Sequence, residues 1–225
     1  MRLRTLAGFA AAVAFGVTSA ANAQYFTEGF DTVVPTGWTA QNNSNPLGTI
    51  GWFQGNSTVF PAHSGAATSY AGVNFNSGSQ TATISNWLMT PQISVSAGDV
   101  VTFWSRTVNT PSFPDRLQLR FSPTGAASPG TTATDVGDFT LLLDINPTYT
   151  TAGYPNVWTQ FTATIPQSAP NGRLAFRYFV ENGGPNGSNS DYIGVDTFAI
   201  TAVPEPTALG AIGIAGLTLL RRRRA

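Results

Sequence analysis

Between residues 24 and 202 the apolar side chains alternate along the chain, and long stretches with the 3.6-residue period of a helix are missing. The run from Arg116 to Phe121 shows the pattern: Leu117, Leu119 and Phe121 fall on one face, Arg116, Gln118 and Arg120 on the other. Successive side chains of a strand point to opposite faces, so this is a strand with one face buried. Residues 172–180 repeat it, with Leu174, Phe176, Tyr178 and Val180 set against Arg173, Ala175 and Arg177. Residues 157–165 do so again, with Phe161, Ala163 and Ile165 turned inward. Further strands are expected at 24–30, 68–75, 81–89, 99–107, 139–144 and 191–201. Residues 100–104 are apolar on both faces, which places that strand in the interior of a sheet.

Gly, Pro, Asn and Ser punctuate these runs, as in Ala97-Gly98-Asp99, Pro123-Thr124-Gly125 and the stretch 182–187. Eight or more short strands without helical partners define the fold class as all-β, a two-sheet antiparallel jelly-roll sandwich. Three stretches, 41–55, 107–115 and 126–138, read as long loops, which are uncommon unless they bind something or move. The chain has no cysteine, so disulfides and thiolate sites are excluded, and size alone must supply the core.

Both ends read as addresses. Arg2 and Arg4, the apolar run 6–17 and Ala21-Asn22-Ala23 have the order of a signal peptide, with cleavage expected after Ala23. At the other end, Pro204-Glu205-Pro206 precedes the almost wholly apolar run 208–220 and then Arg221, Arg222, Arg223 and Arg224. An apolar run closed by arginines has the order of a stop-transfer segment, with the arginines held on the cytoplasmic side. The organisation is therefore signal peptide 1–23, one sandwich domain 24–202, and tail 203–225. Between the ends lie five arginines, no lysine and ten acids, a net charge of about −5. Nucleic acid is excluded as a partner, because phosphate contacts need a basic face.

The tail resembles a PEP-CTERM sorting signal. That resemblance implies recognition and cutting by an exosortase, a transient inner-membrane precursor, and a bacterium that makes exopolysaccharide. Its apolar run of thirteen residues is shorter than the roughly 20 that span a bilayer as a helix, so it suits a temporary handle.

The body is similar to choice-of-anchor J domains, relatives of the cleaved-adhesin and MAM-like jelly rolls. The matching residues are Glu28-Gly-Phe-Asp31, Pro35-Thr-Gly-Trp38, Asn86-Trp-Leu-Met-Thr-Pro-Gln92, Phe103-Trp104, Asp115-Arg-Leu-Gln-Leu-Arg-Phe-Ser122, Ala175-Phe-Arg-Tyr178 and Asp191-Tyr-Ile-Gly-Val-Asp-Thr-Phe198. The resemblance implies surface presentation, adhesion or glycan contact, and structural calcium where the first and last strands meet.

On that basis Glu28 and Asp196 are the expected calcium ligands, with Asp31 and Asp115 behind them. Glu28 shares a face with Phe26 and Phe30, and Asp196 is in period with Phe198 and Ile200. A carboxylate on an apolar face needs a partner, and the alternatives are Arg177, Arg106 or water. Trp38 and Trp87 are expected in the core, while Trp104 can face either way. Trp52 and Phe53, beside a glycine-rich loop, and Trp158, out of phase with Phe161 and Ile165, are the candidate glycan platforms. Packing at the ends of the sandwich is the alternative for all three.

His63 is the only histidine and sits in a turn, and neither Gly-x-Ser-x-Gly nor His-Glu-x-x-His occurs. A glycosidase needs two facing carboxylates, and nothing in the sequence selects a pair. The expectation is an exported, non-catalytic surface or matrix protein, adhesive or structural within an exopolysaccharide coat or biofilm. A secreted hydrolase acting on matrix polysaccharide is the rival reading.

Overall fold

The alternating runs pair into two antiparallel sheets that close over one core. The structure, a computed structural model, describes residues 23–203. Ala21, Pro204, Glu205, Pro206, Arg221, Arg222, Arg223 and Arg224, and with them both expected end segments, lie outside the described residues. No helix among the described residues is long and apolar enough to cross a membrane.

In chain order the strands are β1 (Gln24–Glu28), β2 (Thr39–Asn42), β3 (Asn45–Leu47), β4 (Phe53–Gln54), β5 (Ala71–Asn74), β6 (Gly78–Met89) and β7 (Ile93–Val95). They continue with β8 (Val100–Thr107), β9 (Leu117–Ser122), β10 (Thr140–Ile145), β11 (Thr159–Thr164), β12 (Ala169–Gly183) and β13 (Tyr192–Thr201). The first sheet runs β11-β8-β13-β5-β4, with β1 also paired to β13. The second runs β10-β9-β12-β6-β2, with β3 on β6 and β7 on β12. The expected all-β, two-sheet antiparallel sandwich is what forms, and β8 lies inside its sheet as its two apolar faces require.

The inward faces are those the alternation assigns. Leu117, Leu119 and Phe121, then Leu174, Phe176, Tyr178 and Val180, are buried in the core together with Ala163 and Ile165. Phe176 joins the sheets, its ring 4.9 Å from Phe103 and 5.6 Å from Phe198, both edge-on, a geometry aromatic pairs favour. Trp38 extends this spine against Phe30 and Phe198, as expected of a core residue.

One strand breaks its own period. Ile193 and Val195 are in the core, and the next core residues are Phe198 and Ile200, a step of three where a regular strand steps by two. Thr197 takes φ 51°, and the pairing of β13 with β8 slips between Asp196 and Ala199. This bulge inserts one residue and reverses the faces beyond it. Asp196 therefore does not share a face with Phe198 and Ile200; it points to the outer side of the first sheet.

Of the stretches expected as long loops, one acts as a cover and another is partly strand. The segment 126–139 lies over the outer face of the second sheet, where Ala126, Val136 and Phe139 pack with Trp87, Met89 and Ala175. The stretch 41–55 is partly strand, holding the end of β2, all of β3 and β4.

Candidate functional site

Because Val101 and Phe103 enter the core, Thr102, Trp104 and Arg106 of β8 must point outward from the first sheet. The register with β11 places the exposed Gln160 opposite Trp104 and the exposed Thr162 opposite Thr102. Trp158, one residue before β11, is on the same side and half-buried. As expected it points outward, but its indole N–H donates to the Pro61 carbonyl at 2.9 Å.

That carbonyl belongs to the loop between β4 and β5, which folds back over this face. Phe60 stacks on Tyr70 at 5.1 Å and meets Trp158 and Tyr192 edge-on at 5.6 and 5.3 Å. The Tyr70 hydroxyl donates to the Asn56 carbonyl and lies 2.8 Å from the Tyr192 hydroxyl. Arg106 lies 4.4 Å above the Phe60 ring and donates to the carbonyls of Thr107 and Asn156. It has no carboxylate partner among the described residues.

Midway along the loop is His63, whose ring lies flat on Trp104, with centroids 3.9 Å apart and planes within 16°. Its Nδ1 is 2.9 Å from Thr197 Oγ1, so the bulged residue also orients the histidine. Beneath, Asp196 Oδ2 accepts the backbone N–H groups of His63 and Ser64 at 2.8 and 3.0 Å, and Oδ1 accepts that of Thr197. Burial pushes the Asp196 carboxyl up from its ordinary range, and these N–H groups oppose that rise. Its geometry is that of a pin holding the loop to the bulge, a role visible only once the bulge is known.

Two of the expected platforms are placed otherwise. Trp52 is 7% exposed and packs in the core, so it offers no surface. Phe53 is half-buried against Tyr192 at 5.7 Å. A third aromatic on this outer face is Trp104, half-buried with His63 on one side of its ring, a position that alternation between two apolar faces could not assign.

The four expected calcium ligands do not come together. Glu28 and Asp31 line one cleft of about 280 Å³ with Ser64, Gly65 and Thr197, where β1 pairs with β13. The meeting of first and last strands is thus as expected, but Asp196 turns its oxygens to the loop. Glu28 Oε1 accepts from Phe30 N–H at 2.7 Å, and among the described residues neither Glu28 nor Asp196 pairs with Arg177 or Arg106. Asp115 is distant: it accepts the N–H of Asp191, seven residues before Phe198, the partner of Glu28, which is about 20 Å along a strand. No group of three or more His, Asp or Glu gathers among the described residues.

Asp115 instead lies inside the sandwich, 1% exposed, accepting from the Tyr178 hydroxyl at 2.6 Å and from Asp191 N–H at 2.8 Å, with Thr107 Oγ1 at 2.7 Å. Burial pushes its carboxyl up to about 6.

Compared by sequence, the chain matches no protein-family model and no curated protein. Compared by structure, it is similar to the K1 cleaved adhesin domain of Lys-gingipain from Porphyromonas gingivalis W83, at 22% identity, over 80% of this chain and 98% of that one, with a TM-score of 0.56. The K3 cleaved adhesin domain of the same protein matches at 22% identity, over 81% of this chain and 100% of that one, with a TM-score of 0.54. At this identity the likeness is one of fold: the chain has the sandwich of the cleaved adhesin domains.

Proposed function

We propose that this chain is an exported, non-catalytic glycan-binding module that serves an adhesive or structural role in an exopolysaccharide coat. The observation that carries the reading is Trp104: an outward, half-buried indole, one side of its ring held by His63, with exposed Gln160 and Thr162 on the neighbouring strand. An apolar ring for the faces of sugars and flanking amide and hydroxyl groups for their rims are what a carbohydrate platform needs. The cleaved adhesin domains named above lend the adhesive part of the reading. Export through the signal segment and exosortase cutting of the tail belong to the same proposal.

The test uses chain recovered from culture medium and checked by mass for loss of the tail arginines; their retention would sink the exosortase part. In affinity electrophoresis through neutral polysaccharides, at least one gel should retard the protein. Trp104→Ala should weaken that retardation about tenfold, the scale of one lost ring contact. Equal retardation of both proteins would overturn the platform. Release of reducing ends would favour the hydrolase instead.

A structural calcium ion is a second part of the proposal, at Glu28 and Asp31. Two carboxylates line one cleft beside the hydroxyl-bearing Ser64, oxygen ligands of the kind calcium takes, and neither acid has an ion-pair partner among the described residues. Calcium at a hundredfold excess over its Kd should raise the melting midpoint by roughly 5 °C, and Glu28→Gln should abolish the rise. An unchanged midpoint with and without chelator would exclude a bound ion.

A further inference from the structure

A second cleft, of about 250 Å³, opens at the end of the sandwich where β13 begins, lined by Phe75, Ser112, Phe113, Gly184, Pro185, Gly187, Ser190 and Asp191. It is apart from the Trp104 platform: Asp191 precedes Asp196, the residue paired with Trp104, by five residues, about 17 Å along a strand. Its walls combine two kinds of group. Phe113 is 44% exposed and has no aromatic partner among the described residues, and Phe75 adds a second apolar surface. Asp191 supplies a half-buried carboxylate whose one protein donor is Ser112 N–H, at 3.3 Å, and no arginine reaches it among the described residues.

The frame is rigid. Asp191 donates its N–H to Asp115 Oδ1 and accepts Phe75 N–H at its carbonyl, while Ser190 N–H donates to the Pro114 carbonyl. Gly184 has φ 91°, and a Cβ there would lie 2.3 Å from the Gln80 carbonyl oxygen, so the turn tolerates no side chain. A cleft built this way does not need to be ordered when a ligand arrives.

We propose that this end cleft binds a cationic amino sugar, an unacetylated hexosamine residue whose ring lies on Phe113 and whose ammonium group pairs with Asp191. This deepens the glycan-binding reading and rests on it only for the source of the sugar. The choice of ligand follows from what the cleft lacks. Its carboxylate is partly out of water without a counter-charge, and burial pushes its pKa up, so an incoming cation relieves it. A calcium ion would find one carboxylate where it needs six to eight oxygens. The volume lies below the roughly 300–1,000 Å³ of pockets for larger ligands and suits a single ring. A body of net charge about −5 attracts polycations at long range.

Calorimetric titration of the full chain with a glucosamine tetramer, its N-acetylated counterpart and a glucose tetramer tests this. Binding should be at least tenfold tighter for the free amine than for either neutral oligomer, and should weaken as salt is raised. Asp191→Asn, which preserves shape and backbone bonds, should weaken it at least tenfold, and Phe113→Ala, at an exposed position, several-fold. Equal binding of acetylated and free oligomers, or indifference to Asp191→Asn, would overturn the proposal. Butylamine binding as tightly as glucosamine would overturn its sugar part. The platform is read on neutral polysaccharide with Trp104→Ala, so either proposal can fail while the other stands.

Discussion

Arg177→Ala should lower the stability of the sandwich by about 2–4 kcal/mol, read as a shift in the denaturant midpoint at unchanged slope. Arg177 is 2% exposed on the outer face of β12, beneath the cover segment 126–139. It donates to Ser85 Oγ at 3.0 Å, to Gln118 Oε1 at 3.3 Å and to the Ala133 carbonyl at 2.6 Å. Its guanidinium carbon stands 3.8 Å from the centre of the Phe179 ring and 5.0 Å from that of Trp87. No carboxylate pairs with it among the described residues. Burial, with the charges of Arg120 and Arg116 adding, pushes its pKa down, yet a guanidinium remains charged.

Truncation acts in two directions. It empties the space between two rings and orphans the Ala133 carbonyl, which costs several kcal/mol, and it removes a strained charge, which returns part of that. The loss should dominate, because three neutral acceptors and two ring faces already satisfy the cation. Arg177→Lys should recover less than half, since an ammonium cannot reach three separated acceptors. Amide exchange should quicken at residues 131–135, which the arginine ties to the sheet. A change below 0.5 kcal/mol would mean that relief of the charge cancels everything else.

Arg177 also marks where the sequence was legible and where it was not. Its placement opposite Phe176 and Tyr178 followed from alternation, which also located β9 and β11, while β6, β8, β10 and β13 were foreseen as β-prone runs between turn signals. The burial of its face did not follow, because alternation says which residues share a face and not what lies over it. Gln118 and Ala175 are buried outside the main core for the same reason. The short strands β2, β3, β4 and β7 were invisible, since two to four residues show no period; β5, of the same length, was foreseen only as part of the longer run 68–75.

The site was less legible than the fold. The meeting of β1 and β13 was foreseen, and Glu28 and Asp31 share a cleft there. Asp196 was misplaced by one residue of bulge, at a threonine that carries no conformational signature. Trp52 was misread because a glycine-rich neighbourhood marks a turn, and a turn can deliver its aromatic residue inward. Trp104 could be assigned only from its neighbours' burial. For each of these residues the deciding fact was a contact distant in sequence.

Asp115 offers the sharpest measurement on the interior. Thr107 Oγ1 lies 2.7 Å from Asp115 Oδ2 and 2.9 Å from the Tyr192 carbonyl oxygen, and a hydroxyl has one proton to give. A neutral Asp115 resolves the conflict: its own O–H donates to Thr107, which donates to Tyr192, while Oδ1 accepts from Tyr178 and Asp191 N–H. The groups facing it are the hydroxyls of Thr107 and Tyr178, the more distant phenol of Tyr154 and the carboxylate of Asp191, and none is a cation. Burial and the Asp191 charge raise its pKa from 3.8 to about 6.

The sign follows from proton counting: between these values the folded chain holds the proton more tightly than the unfolded chain, so this group's contribution to stability falls as pH rises. The fall begins near 3.8 and is complete above about 6. A shift of about two units corresponds to ~3 kcal/mol. Asp191 and Asp196 shift in the same direction, whereas Asp135 and Asp138 shift oppositely, so the whole-protein curve does not isolate Asp115. The difference between wild type and Asp115→Asn does. Asparagine copies the neutral acid, giving Nδ2–H to Thr107 and accepting at Oδ1. The two proteins should be nearly equal in stability at pH 4, and the variant should be more stable by about 3 kcal/mol at pH 7. A difference that stays constant between these pH values would show that Asp115 is ionised throughout, and that Thr107 directs its proton to the carboxylate rather than to Tyr192.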